Sequence, residues 1–117
     1  MLRESCQSEN RQVDLGKVTQ GFDDSVDVPH AALLAGFAEA VVLRDEPRTA
    51  AARADIRAMM GDAAFVDACA VVAAFHGFVR IADAIGIPYT TAAGGQDLPE
   101  IRAQAGVNEF YRVREET

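Results

Sequence analysis

A chain of 117 residues, 50% hydrophobic but only 7% aromatic, with a formal charge of −7, is sized for one domain with one modest core. Its net negative charge opposes binding to nucleic acid or to an anionic membrane, since both repel an anion. No basic patch interleaved with aromatics offsets that charge, so neither partner is expected.

Residues 1–28 are polar and interrupted by Gly16, Gly21 and the acidic positions Asp23, Asp24 and Asp27. They read as a short N-terminal helix followed by an irregular arm that buries little. The N-terminus is polar from its third residue onward, unlike a secretory signal. The longest apolar run, Ala68 to Phe75, is short against the roughly 20 residues that span a bilayer. The cysteines, Cys6 and Cys69, stand far apart. Reduced thiols and a cytoplasmic location are expected from that usage.

The first strong helix is predicted over residues 30–44. Leu33, Leu34, Phe37, Val41 and Val42 recur at three-and-four spacing, which marks one apolar face. Pro29 fits a first turn, with Asp27 as a cap upstream. Asp45, Glu46 and Pro47 break the pattern, because proline disfavours helical geometry in the residue before it. A second helix is predicted over 47–60, anchored by Ile56, Met59 and Met60. Arg48, Arg53 and Arg57 lie on its solvated side, offset by Asp55 and Asp62.

Gly61 is placed to end that helix in a left-handed cap. Asp62 then caps a third and longest helix, predicted to run to Ile85, where Gly86 and Pro88 stop it. This alanine-rich helix is apolar over most of its circumference and needs cover on nearly all sides. A chain this short supplies little cover, so a core shared between copies, and hence a homo-oligomer, is expected. Beyond it, residues 89–96 read as a connection. Short helices are predicted at about 98–105 and 107–114, with Phe110 and Val113 as docking residues. No strand-like alternation or internal repeat is visible. The fold class is therefore all-α, divided into an arm (1–28), a helical core (29–88) and a linker with C-terminal helices (89–117).

Few residues invite a chemical role. Cys6 is either a lone peroxidatic thiol or a surface thiol in a polar arm, with no second cysteine three residues on and no histidine nearby. Cys69 precedes His76 by two helical turns, about 10 Å along the axis, so it reads as a small buried hydrophobe. His76, Arg80 and Asp83 share one stripe of the third helix. As a site, Arg80 would bind a carboxylate on a small ligand and His76 would move a proton. As structure, Arg80 pairs with Asp83 or across a subunit contact, and His76 meets a backbone carbonyl. The structural reading weighs more, because buried charges need partners. His30 reads as a surface residue. Gly94 and Gly95 form a loop without the strand and the Lys-Ser/Thr of a phosphate cradle. No ligand spacing for a metal is present, and no cofactor is expected.

The run Val66-Asp67-Ala68, Val71-Val72-Ala73-Ala74-Phe75 and Arg80-Ile81-Ala82-Asp83-Ala84-Ile85-Gly86-Ile87-Pro88 resembles the last core helix of the carboxymuconolactone decarboxylase and alkylhydroperoxidase D-like superfamily. Ala35-Gly36-Phe37-Ala38-Glu39-Ala40-Val41 is similar to the helix pair that leads into it. The resemblance covers residues 29–88. It implies an all-helical bundle completed by oligomerisation, with peroxide reduction or lactone decarboxylation as its chemistry. Peroxidase members use a Cys-x-x-Cys pair with a following histidine, one thiolate attacking the peroxide and the second resolving the sulfenic acid. This chain has no such pair, so thiol-peroxidase activity is not expected of it. The motif is either lost or carried on a segment outside this chain. Cys6, His76 and Arg80 are the remaining catalytic candidates. The alternative is a non-enzymatic oligomeric interaction module or a small-molecule-binding module.

Overall fold

A computed structural model describes residues 8–23, 25–87 and 99–109. Among them every regular element is helical: α1 (Lys17–Gln20), α2 (Ala31–Leu43), α3 (Glu46–Ile85), α4 (Pro99–Ala105) and a 3₁₀ turn (Val107–Glu109). The chain divides into two compact units, one of residues 29–84 and one joining residues 1–28 to 85–117.

In the unit of residues 29–84, α2 opens at His30, which takes a left-handed conformation with no side-chain cap. The Leu34 N–H donates to the His30 carbonyl at 3.0 Å, starting the helix. Pro29 thus precedes the helix rather than standing in its first turn, and the expected Asp27 cap lies too far upstream. The helix ends at Arg44, also left-handed, whose N–H reaches the carbonyls of Ala40 and Val41. A single further residue, Asp45, separates α2 from α3. Its carboxylate accepts from the Arg48 N–H at 3.1 Å, and its carbonyl accepts from Thr49 Oγ1 at 2.7 Å. An aspartate that satisfies the third orphan N–H of a helix is a good N-cap. That cap holds Glu46 inside the helix, even though Pro47 follows it.

One glycine divides α3 into two limbs, 46–60 and 62–85. Gly61 adopts φ 88° and ψ 169°. That combination is not the left-handed cap expected from sequence but a more extended region, essentially closed to residues with a Cβ. Arg57 Nε donates to Asp62 Oδ1 at 2.6 Å across the break, which fastens the kink from outside. The proximal limb is tied back to α2 by Arg48, whose guanidinium lies 2.6 Å from Glu39 and 4.0 Å from Asp45. Arg53 lies 3.8 Å from Glu46.

The core of this unit is narrow. Phe37 is 3% exposed, and Ala40 and Ile56 are fully buried. Phe37 meets Phe65 edge to face, with ring centroids 5.9 Å apart, a favoured aromatic geometry. Leu33, Leu34 and Met60 are only half-buried. Val41, Val42 and Met59, expected as anchors, are exposed. Those positions lie at the margins of the predicted stripes, and the short hairpin covers only the centre of each face. Ala40 takes the innermost place because its small side chain lets backbones approach.

In the other unit, the N-terminal arm and the C-terminal helix come together, and Leu15 and Val26 are buried. Thr19 Oγ1 donates to the Ala105 carbonyl at 2.9 Å. Gly106 follows with φ 71°, and a Cβ there would lie 2.9 Å from the Thr19 hydroxyl oxygen, so only glycine fits. Lys17 Nζ donates to Asp23 Oδ2 at 2.8 Å, and Ser25 donates to the same carboxylate from its N–H and its hydroxyl. These contacts hold Asp23 far below the usual carboxylate range and raise Lys17, the Lys17 hydrogen bond being the main cause of both. Of the predicted last helix, residues 107–109 form the 3₁₀ turn, and the rest, with Phe110 and Val113, lies outside the described residues.

Candidate interaction surface

The distal limb of α3 carries most of the exposed large apolar side chains among the described residues. By length and composition α3 contains an 18-residue window apolar enough to cross a membrane, and none of that window is buried inside the chain. Those two criteria do not separate a bilayer span from a helix covered by protein. The limb shows a further pattern once exposure is known. Near its start Phe65, Ala68, Cys69 and Val72 are half-buried, on the side facing Phe37. Farther along, Val71, Phe75, Phe78 and Ile81 are all exposed.

Helical geometry sorts these residues. At about 100° per residue, positions 71, 75, 78 and 81 gather on one side, with Ala74 and Ala82 among them. His76, Arg80 and Asp83 gather on the opposite side, roughly 140–200° away from Phe78. The sequence reading found the polar row and took the remainder as uniformly apolar. The structure shows an amphipathic distal segment, polar along one edge and apolar along the other. The signal was present as the spacing 71, 74, 78, 81, but alanines at neighbouring positions obscured it.

The candidate catalytic residues His76 and Arg80 share one edge of α3. Cys69 is a half-buried free thiol, which suits a small hydrophobe more than a nucleophile. His76 and Arg80 are exposed, as is Asp83. Exposed side chains carry little desolvation cost for a partner to offset, so burial does not weigh between the structural role and a site. Cys6 lies outside the described residues. Among the described residues no three of His, Cys, Asp and Glu come together as a metal-ligand group.

The arginine series does behave as a solvated face. Arg57 is paired with Asp62, which lowers the aspartate below its ordinary range and raises the arginine, the hydrogen bond being the main cause. The corresponding contact with Glu39 raises Arg48. These pairs order the hairpin surface and create no cationic pocket. What the arrangement offers is an exposed apolar surface along the distal limb of α3. No protein-family model matches the chain, and neither curated proteins nor solved structures yield a match.

Proposed function

We propose that this protein is a helical self-association module, of the carboxymuconolactone decarboxylase-like type its third helix resembles, without thiol-peroxidase activity of its own. The observation that carries this reading is the bare distal limb of α3, whose large apolar side chains stand in solvent on a single chain. Monomeric soluble proteins rarely leave contiguous apolar patches above a few hundred Å². A homo-oligomer working in the cytoplasm would cover that surface with identical chains. The lack of redox chemistry rests on the sequence: two cysteines, at positions 6 and 69, do not supply the closely spaced pair that peroxide attack and resolution require.

Light scattering on the purified chain tests the first half. A mass of two or more chains is expected, and a monomer at all accessible concentrations would overturn it. Hydrogen peroxide turnover with a dithiol reductant tests the second. Wild type is expected to be inactive, whereas turnover abolished by Cys6→Ser would show that Cys6 is a working peroxidatic thiol.

A further inference from the structure

The self-association proposed above leaves open which face meets the partner, since the exposed apolar residues of α3 are spread along its length. We propose that the contact is the stripe Val71, Phe75, Phe78 and Ile81, laid against the same stripe of a second copy of this chain. The inference rests on the self-association reading and narrows it to one edge of one helix.

Three observations select this stripe. The first is its period. Positions 71, 75, 78 and 81 follow steps of four, three and three and fall within about 120° of the helix circumference, so one face can meet a neighbouring helix. Ala74 and Ala82 interrupt the large side chains, so a ridge of phenylalanine on one copy has an alanine gap to enter on the other. Such a stripe suits a two-fold contact, where each patch meets its own image.

Area is the second. Val71 is 56% exposed, Phe75 59%, Phe78 64% and Ile81 58%. With about 200 Å² in a full aromatic side chain, these four leave on the order of 400 Å² bare per chain. Two stripes face to face remove roughly 800 Å² of large apolar surface, before the alanines and the backbone are included. The whole contact then approaches the ~1,200 Å² at which specific interfaces begin.

Charge is the third. Two chains of formal charge −7 repel each other at most orientations. None of the stripe residues is charged, so this contact opposes no like charges at short range. His76, Arg80 and Asp83 remain on the far side of each helix, in water. A bilayer is a poorer occupant: a spanning helix would bring Arg80 and Asp83 into hydrocarbon, where ionisable groups are costly.

Sedimentation velocity on the full chain tests the stripe, comparing wild type with Phe78→Glu, Ile81→Glu and Ala73→Glu. Ala73 is also exposed but lies about 140° round the helix from Phe78. Wild type and Ala73→Glu are expected to sediment as dimers, and the two stripe variants as monomers with wild-type helical circular dichroism. If Ala73→Glu dissociates the dimer while the stripe variants do not, the stripe is wrong and self-association stands. A monomeric wild type removes both, including one that floats with phosphatidylcholine vesicles. Should the glutamate variants lose their helical signal, Phe78→Ala decides. Dimerisation at least tenfold weaker supports the stripe, and unchanged dimerisation overturns it.

Discussion

Two kinds of residue determine how this chain responds to substitution. Phe37 and Ile56 are enclosed, and removing a large buried side chain costs its transfer energy together with the cavity left behind. Phe37→Ala should destabilise by about 3–5 kcal/mol and Ile56→Ala by about 2–5 kcal/mol in urea titrations. Losses near zero would mean that the hairpin core is not formed in solution. His76→Ala and Arg80→Ala, both exposed, should leave the melting temperature and the assembly state unchanged. A large drop for either would support the structural role read from sequence.

The carboxylates make a separate, pH-dependent statement. Asp23 is held far below its ordinary range by Lys17 and Ser25, and Asp62 is lowered by Arg57. A carboxyl with a lower pKa in the folded than in the unfolded state stabilises above its unfolded value, about 3.9, and loses that contribution as pH falls through the folded value. Stability should therefore decline below roughly pH 4. Carboxyl titration by NMR should place Asp23 below its ordinary midpoint in wild type and return it upward in Lys17→Ala. An ordinary midpoint in wild type would show that the Lys17–Asp23 pair does not persist in water.

At the scale of elements, the kink in α3 is the decisive joint. Gly61 has no atom within 4 Å of where a Cβ would stand, so a substitution there meets a conformational penalty and no clash. Gly61→Ala should cost about 1–3 kcal/mol in the kinked form. It should also favour a continuous helix from Glu46 to Ile85, because alanine is the strongest helix former. Spin labels on either side of residue 61 would then report a longer separation than in wild type. An unchanged separation with unchanged stability would mean that the bend does not depend on glycine.

For the whole molecule, a narrow core beside a large bare apolar surface ties folding to association. Hydrophobic burial is the main favourable term in folding, and among the described residues three of the five buried apolar side chains belong to the hairpin unit: Phe37, Ala40 and Ile56. If copies supply the remaining cover, assembly stabilises the folded state by mass action, so the melting temperature should rise with protein concentration. Scanning calorimetry over a dilution series checks this. A melting temperature independent of concentration counts against self-association.

Much of the secondary structure was legible in the residues. Periodic apolar positions, Pro47, Gly61 and Gly86 located the helices to within a residue or two, because helix signals are local and need no knowledge of neighbours. The all-α class followed from the same signals. Tertiary structure alone decided that Val41, Val42 and Met59 face solvent, that Asp45 caps α3, and that the arm packs on the C-terminal helix through Thr19 and Ala105. It also showed that Val71, Phe75, Phe78 and Ile81 stand exposed. Exposure depends on which faces the chain has enough other chain to cover, and a one-dimensional pattern carries no measure of that supply.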